Sequence, residues 1–259
     1  IEKVRQVIEE LKQAQQKKAL KKIVDAVGNQ ATDLDLEVAD FTNAGFNTPE
    51  MTVNESLLPL LKGELKASKK EKVNSRETLR DLIEKARALQ KIVSEITAKN
   101  ESVLTKADFI TAGLGVDKDD VTTIDDELLI AVKKRIKKGH ASQNATLLTS
   151  RESLTELIYL ENILIAVGDK DKVEALRETR FKKAGVTFDS IFLTAVTDGL
   201  KKSSSKDEVH SRVTLTTLIN KLIILDAVGD ATKVDKLTQS AQDLKDAGLT
   251  YFTEGNRNY

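Results

Sequence analysis

Cysteine and tryptophan are absent from this 259-residue sequence, and proline occurs only twice. The absence of cysteine excludes disulfide bonds, thiolate metal sites and cysteine nucleophiles. Because there are only 2 prolines and 12 glycines, long helices can run with little interruption. Aromatic residues make up only 4% of the chain, so the core must be built from leucine, isoleucine, valine and alanine.

The sequence also lacks an excess of charge of either sign and has no long apolar run. Lys plus Arg total 41, and Asp plus Glu total 41. This balance argues against a dedicated nucleic-acid-binding protein, which carries a basic excess. No apolar run approaches the roughly 18 residues that a membrane-spanning helix requires. We therefore expect neither a nucleic-acid partner nor a membrane span.

A short amphipathic run that ends in Ala-Gly recurs four times. Its glycines are Gly45, Gly113, Gly185 and Gly248. They stand roughly 65 residues apart, and a nearly fixed period of this kind is the signature of a repeat protein. An apolar residue precedes each alanine by three positions; these residues are Phe41, Phe109, Phe181 and Leu244. We interpret them as anchors that hold a short helix to the core, not as a ligand site.

A long helix opens each repeat, as apolar residues at spacings of three and four indicate. Three of these helices end in Ala-Val-Gly, at Gly28, Gly168 and Gly229, and we expect the glycine to cap the helix in a left-handed conformation. The second copy has lost this glycine. After the long helix, each repeat has the short helix that ends in Ala-Gly, then a turn, a third helix and a lysine-rich link.

The pattern predicts an all-α protein of about 11 helices, arranged as tandem three-helix-bundle repeats stacked into an elongated array. The predicted repeats span 1–74, 75–149, 150–210 and 211–259, and the last is incomplete. A bundle of this size is marginal alone, so stacking against a neighbour would stabilise it. The alternative is a string of separately folded bundles, but the short links favour a stiff rod. The frayed repeat phase at both ends leads us to expect a piece of a longer protein.

Two groups of polar residues could be read as sites. His140 and His210 each lie in a link after a third helix, and we interpret them as polar residues near a helix C-terminus, where the dipole favours positive charge. Lysine-rich runs also end the third helices, at 66–72, 133–138 and 201–202. They could contact an anionic polymer, but nearby acidic runs offset their charge, which favours an ordinary solvated surface.

No catalytic, cofactor-binding or metal-binding residue is predicted. The acidic segments 117–120 and 169–171 lack the spaced oxygens, central glycine and final glutamate of an EF-hand loop, and aspartate at a helix start explains both; whether calcium binds stays open. The sequence contains no Walker loop, no complete dinucleotide fingerprint and no apparent Ser/His/Asp arrangement. We therefore expect a protein that is not an enzyme and needs no cofactor.

The combined motif, a long helix ending in Ala-Val-Gly, a short helix with Asp-Phe-x-x-Ala-Gly and a third helix, resembles the three-helix repeats of very large bacterial surface and extracellular proteins, many of them adhesin-like. Ala44-Gly45, Ala112-Gly113, Ala184-Gly185 and Ala247-Gly248 carry this resemblance over the whole chain. The chain is also generically similar to albumin-binding three-helix modules of Gram-positive cell-wall proteins, whose units are shorter and whose binding face finds no match here. The resemblance implies an extracellular, repetitive, non-enzymatic role.

The first functional hypothesis is therefore a structural stalk or spacer segment of a bacterial cell-surface or extracellular protein. One alternative is a protein-binding module that contacts a host or partner protein through helix faces, which would need an exposed apolar patch. Another is a self-assembling subunit of a filament or surface layer, and an enzyme is the last. The expected partners are neighbouring repeats of the same chain, with other proteins or further copies of the chain as additional candidates.

Overall fold

A computed structural model describes residues 2–29, 33–100, 103–114, 124–141, 148, 150–203, 209–228 and 230–237. These residues form twelve α-helices and no strand, which confirms the all-α class. The chain divides into two compact units, Ile1–Leu114 with Gly139–Ser150 and Gly115–Lys138 with Arg151–Tyr259.

The first unit contains a long, a short and a third helix, followed by a second long and short pair. These helices are α1 (Glu2–Asp25), α2 (Val38–Asn43), α3 (Leu58–Ala67), α4 (Arg76–Thr97) and α5 (Lys106–Thr111). The local sequence explains where the third and fourth helices begin. Pro59 lies in the first turn of α3, where its missing N–H is not needed. The hydroxyl of Ser75 accepts the N–H of Thr78 at 3.2 Å, so it caps the start of α4.

The core of the first unit is shared by its first four helices. Buried apolar residues run from Ile23 on α1 through Phe41 on α2 and Leu61 on α3 to Ala86 on α4. This cluster crosses the predicted repeat boundary after residue 74. The boundary itself stays a prediction, but no break in the core accompanies it.

Helix α4 takes part in two groups of elements. It contacts α3 and also α5, and its second half buries Leu89, Ile92 and Ile96. Its Lys91 donates a hydrogen bond of 2.5 Å to Asp108 on α5. The first half of α4 therefore belongs to the core that it shares with α1, α2 and α3, while its second half is linked to α5.

The second unit begins with α6 (Asp126–Ala141) and continues with a long helix, two short helices, a third helix and a second long and short pair. These further helices are α7 (Arg151–Ala166), α8 (Lys170–Glu174), α9 (Glu178–Lys183), α10 (Leu193–Lys202), α11 (Arg212–Ala227) and α12 (Ala231–Val234), with a 3-10 turn at Ser190–Phe192. Of α6, the residues up to Lys138 belong to this unit. Its core runs from Tyr159 on α7 through Phe181 on α9 and Val196 on α10 to Ala227 on α11. A third helix and the long helix after it again share one core. The extra short helix α8 has no described counterpart between α1 and α2.

Candidate functional site

Of the polar residues that the sequence singles out and the structure describes, His210 and Asp169 lie next to helix starts. Among the described residues, no three His, Cys, Asp or Glu side chains are grouped so as to hold a metal ion. The carbonyl oxygen of His210 accepts a hydrogen bond of 2.7 Å from Arg135. Asp169 caps α8 by accepting the N–H of Lys172 at 3.1 Å. The side chain of His140 and the acidic segment 117–120 lie outside the described residues.

The lysines of the basic runs are partly neutralised by carboxylates. Lys70, in the run after α3, lies 3.0 Å from Asp25 at the end of α1. Lys201, at the end of α10, lies 3.3 Å from Glu174 and also 3.3 Å from Asp198. These contacts support the reading of the basic runs as ordinary surface, since part of their charge is already compensated within the fold.

What the structure does bring together are recurring junctions between helices, and the first joins the end of a long helix to the end of a third helix. Gly28 has φ +73°, and its N–H donates to the carbonyl oxygen of Leu65 at 2.9 Å. Gly168 has φ +77° and donates in the same way to Leu200 at 3.0 Å. We call this contact the glycine junction.

The glycine junction needs glycine for two reasons. A positive φ near +75° is strained for residues with a side chain. In addition, a Cβ on Gly168 would lie 2.9 Å from the carbonyl oxygen of Ser203, and one on Gly28 would lie 3.3 Å from that of Ser68. The third helix therefore ends directly against the backbone of the long helix that opened its repeat.

A second junction joins the Ala-Gly motif to the start of the next long helix. Arg76, the first residue of α4, donates from Nη2 to the carbonyl oxygen of Gly45 at 2.7 Å, and its guanidinium lies 5.7 Å from the ring centroid of Phe46. Arg212, the first residue of α11, occupies the same place: a Cβ added to Gly185 would lie 3.0 Å from its Nη1. We call this contact the arginine junction.

The glycines of the Ala-Gly motif end their short helices as left-handed caps. Gly45, Gly113 and Gly185 have φ values of +89°, +68° and +73°. In each case the residue after the glycine donates its N–H at 2.9 Å to the carbonyl oxygen of the motif's phenylalanine, namely Phe41, Phe109 or Phe181. This bond belongs to the Schellman arrangement. The three rings are fully buried, which places them in the core.

A polar side-chain contact links each described short helix that ends in the Ala-Gly motif, namely α2, α5 and α9, to its long helix. Asp40 caps the start of α2 and accepts a hydrogen bond from Lys22 on α1 at 2.9 Å, which raises the pKa of that lysine. Asp108 does the same for α5 with Lys91. Burial alone would raise the pKa of Asp108, but the hydrogen bonds from Lys91 and Thr105 outweigh it and hold that pKa below its usual value.

In the second unit the donor of this link is on the short helix. Arg180 occupies the aspartate's place in the motif and donates to the side-chain oxygen of Asn162 on α7 at 3.2 Å. The link is thus kept while its charge is changed. Its geometry, and not a reactive group, is the common feature.

The second long helix keeps a left-handed end without glycine. Lys99 follows α4 with φ +60° and is the described non-glycine residue with a positive φ. Its N–H donates to Ile96 at 3.0 Å, and the N–H of Asn100 donates to Glu95 at 2.8 Å. A left-handed residue thus still ends the helix and a lysine bears the strain, but the N–H of Lys99 bonds within its own turn, whereas Gly28 and Gly168 donate to a third helix.

One buried ion pair lies in the second unit. Arg135 on α6 lies 2.5 Å from Glu161 on α7, whose side chain is only 8% exposed. Through its other nitrogen Arg135 reaches the carbonyl oxygen of His210, just ahead of α11. Burial raises the pKa of Glu161, and the attraction of the Arg135 guanidinium only partly offsets that rise. The side chain of Arg135 therefore connects α6 to α7 and to the backbone just ahead of α11.

Sequence reasoning missed the partners in these junctions. Leu65, Leu200, Arg76 and Arg212 were not singled out, although Ser-Arg recurs before three long helices at 75–76, 150–151 and 211–212. That recurrence was the available signal. Three of the predicted structural marks, Gly229, Leu244 and Gly248, lie outside the described residues.

Among the residues that the structure describes, the surface depressions bring together no set of groups that suggests chemistry. One of about 660 Å³ lies beside α2 and is lined by Glu37, Val38, Ala39, Thr42, Asn43, Glu55 and Leu58. A smaller one of about 130 Å³ lies between α7 and α8. Within the described chain, no helix is both long enough and apolar enough to cross a membrane.

Comparison with protein-family models, curated proteins and solved structures gives no match for this chain. The glycine junction, the arginine junction and the shared cores are therefore the features from which function is inferred.

Proposed function

We propose that this chain is a non-enzymatic structural spacer, a stalk segment of a bacterial cell-surface or extracellular protein. In this proposal its helices form tandem three-helix-bundle repeats that stack into an elongated array. The observation that carries the proposal is the sharing of long helices: α4 contacts both α3 and α5, and its first half lies in the same core as α1.

A shared helix supports stiffness because it cannot swivel between the two groups that it serves. Turning the first half of α4 away from α3 would expose Leu79 and Ile83, which are 1% and 0% exposed. Each such side chain contributes about 1.5–3 kcal/mol when fully buried. Bundles joined like beads would not carry this penalty, so the shared helix favours the rod over the string of beads.

The two junctions act in the same direction. The glycine junction fixes the end of a third helix against the preceding long helix, and the arginine junction fixes the start of the next long helix against the Ala-Gly turn. The glycine junction is a backbone–backbone hydrogen bond of 2.9–3.0 Å, and the arginine junction at Gly45 is a side-chain to backbone hydrogen bond of 2.7 Å; both restrict the link between helices. Because interactions of this kind connect only neighbouring elements, an array built from them is quasi-one-dimensional.

The proposed location is supported by the sequence alone. The motifs of the chain resemble repeats of bacterial surface and extracellular proteins. A neutral, repetitive chain with recurring structural contacts suits a part that holds other parts at a distance.

Small-angle X-ray scattering of the monomeric chain tests this function. A compact globule of this length has a radius of gyration of about 18 Å; we expect a clearly larger value and the skewed distance distribution of a rod. As a matched comparison, Leu79→Ser with Ile83→Ser should broaden that distribution, because these substitutions weaken the buried contacts that hold α4 in the core shared with α3. A radius of gyration near the globular value for the unmodified chain would contradict the proposal.

A further inference from the structure

The first half of α1 carries an apolar stripe that the structure leaves uncovered. Val4, Val7, Ile8 and Leu11 are 62%, 53%, 47% and 65% exposed. All residues from 2 to 18 on this helix are exposed, and burial begins only further along, with Ile23 fully buried. An isolated helical stretch of this length is marginal in water without a packing partner. A surface that covers the stripe would therefore stabilise it.

The same spacing of apolar residues recurs at the start of α4 and α11, where it is covered. The stripe residues of α4 are Leu79, Leu82, Ile83 and Ala86, and all four are buried. The corresponding residues of α11 are Leu215, Leu218, Ile219 and Leu222, of which Leu215 and Ile219 are 0% and 1% exposed. In each helix the steps are three, one and three residues, which place the side chains on one face.

The covering element is the same in both cases. Helix α3 contacts α4, and α10 contacts α11, and each pair lies in one core. In both pairs the covering helix is the third helix that comes immediately before the covered helix in the chain. A close fit accompanies the second pair, since a Cβ on Gly199 of α10 would lie 2.3 Å from the side chain of Leu222.

We propose that the stripe of α1 is the docking surface for the third helix of a further repeat, joined ahead of α1 in the same polypeptide. The chemistry of that occupant follows from α3 and α10: an amphipathic helix of about ten residues whose aliphatic face packs against Val4 and Ile8. The inference rests on the proposed spacer function and extends it, because the array would continue through α1 as it continues through α4.

An extension of the full chain tests this docking. A copy of residues 150–211 is placed directly ahead of Ile1, so that the copied Ser211 precedes Val4 by four positions, as Ser75 precedes Leu79. The copied third helix then has the register that α10 has on α11. We expect amide hydrogen exchange over residues 4–18 to slow by at least about tenfold relative to the unextended chain.

The matched control is the double substitution Val4→Lys with Ile8→Lys. Both positions are exposed in the unextended chain, and lysine is a good helix former. The thermal midpoint of the unextended chain should therefore be the same with and without the two substitutions. In the extended chain the same substitutions should restore fast exchange over residues 4–18. Protected amides within the added copy show that it has folded. If it has not, an extension with residues 1–75, which supplies α3 as the covering helix, takes its place.

Two results would overturn the inference. One is amide hydrogen exchange over residues 4–18 that stays as fast as in the unextended chain although the added repeat has folded. The other is a concentration-dependent dimer of the unextended chain that Val4→Lys with Ile8→Lys abolishes, because a second copy would then be the occupant. A failure of the spacer function is recognised separately, as a compact scattering profile of the unextended chain, whatever the exchange data show.

Discussion

Arg76 and Gly45 are joined by a hydrogen bond of 2.7 Å, although 31 positions separate them in the sequence. The bond runs from the first residue of one long helix to the glycine that ends the preceding short helix. The guanidinium of Arg212 lies beside Gly185 in the corresponding place, and its Nη2 donates to Glu156 at 2.7 Å. The start of a long helix is thereby fixed by elements that precede it, which is the relationship expected of a part built to transmit orientation.

Replacing Arg76 by alanine should weaken the first unit. The substitution removes a charge-assisted hydrogen bond to a backbone carbonyl, which is worth about 1–2 kcal/mol. Hydrogen exchange of the buried amides of α3 measures the loss. The control is Arg80→Ala, which breaks only an exposed pair with Glu84 on the same helix and should cost about 0.5 kcal/mol or less. Equal losses for the two variants would show that the arginine junction has no special role.

Alanine at Gly168 should be strongly unfavourable, whereas alanine at Gly63 should be favourable. At Gly168 the left-handed φ costs about 1–2 kcal/mol for a residue with a side chain, and the new Cβ would also press on Ser203. Gly63 is in the interior of α3, where a Cβ meets nothing within 4 Å, so alanine should add about 0.5–1 kcal/mol. Urea unfolding, monitored by circular dichroism, measures the change in the free energy of unfolding for each of the two variants. A Gly168→Ala variant as stable as the parent would argue against the glycine junction.

Glycine at Lys99 should stabilise the chain. The left-handed conformation of this lysine costs about 1–2 kcal/mol, while glycine costs roughly 0.5–1 kcal/mol more in the unfolded chain, so a net gain of about 0.5–1 kcal/mol is expected. Thermal unfolding detects it. Lys85→Gly, on the exposed face of α4, is the opposing control and should destabilise by about 1 kcal/mol. A loss of stability in both variants would mean that the positive φ of Lys99 is not strained.

Removing Arg135 should make stability depend on pH. In Arg135→Met, an ionised Glu161 would be buried without its partner, which costs about 3–5 kcal/mol near neutral pH. Because burial raises the pKa of Glu161, the folded state holds this proton more firmly than the unfolded state. The stability from this group is therefore present at low pH and is lost as pH rises through the pKa in the folded state.

The measurement for this prediction is urea unfolding of Arg135→Met across the acid range. The variant should regain stability relative to the parent as pH falls toward and below the ordinary glutamate pKa. Arg135→Met combined with Glu161→Gln is the control and should show no such recovery, because glutamine does not titrate. Recovery of the same size in both variants would place the titrating group elsewhere.

Sequence periodicity marked the apolar face of the helices but not what each face is buried against. On α1 the same spacing includes residues that are exposed, namely Val4, Val7, Ile8 and Leu11. Phe41, Phe109 and Phe181 stand out because they recur beside Ala-Gly, and their burial follows from the local pattern. The pattern cannot tell that Ala86 on α4 joins the core of α1, because the partner of an apolar face is set by packing of the whole unit. Whether the marks at Gly229 and Gly248 have the same roles stays a prediction.

Departures from the repeat were the hardest features to infer. A missing glycine suggests a changed turn, yet Lys99 adopts the same left-handed conformation because its neighbours require it. Glu161 is an acid within an apolar run, but its partner Arg135 is 26 positions away and is surrounded in sequence by other cations. Several of those cations could have paired with Glu161 as far as spacing shows. Only the approach of α6 to α7 selects Arg135.

The shared helix α4 also governs how the chain can be made. The core around α1, α2 and α3 includes side chains up to Ala86, so it cannot close until that residue has left the ribosome. During synthesis, the core of the most recent repeat would therefore stay open until the first half of the next long helix has emerged. Synthesis and folding would advance in alternating steps, with a lag of about half a long helix.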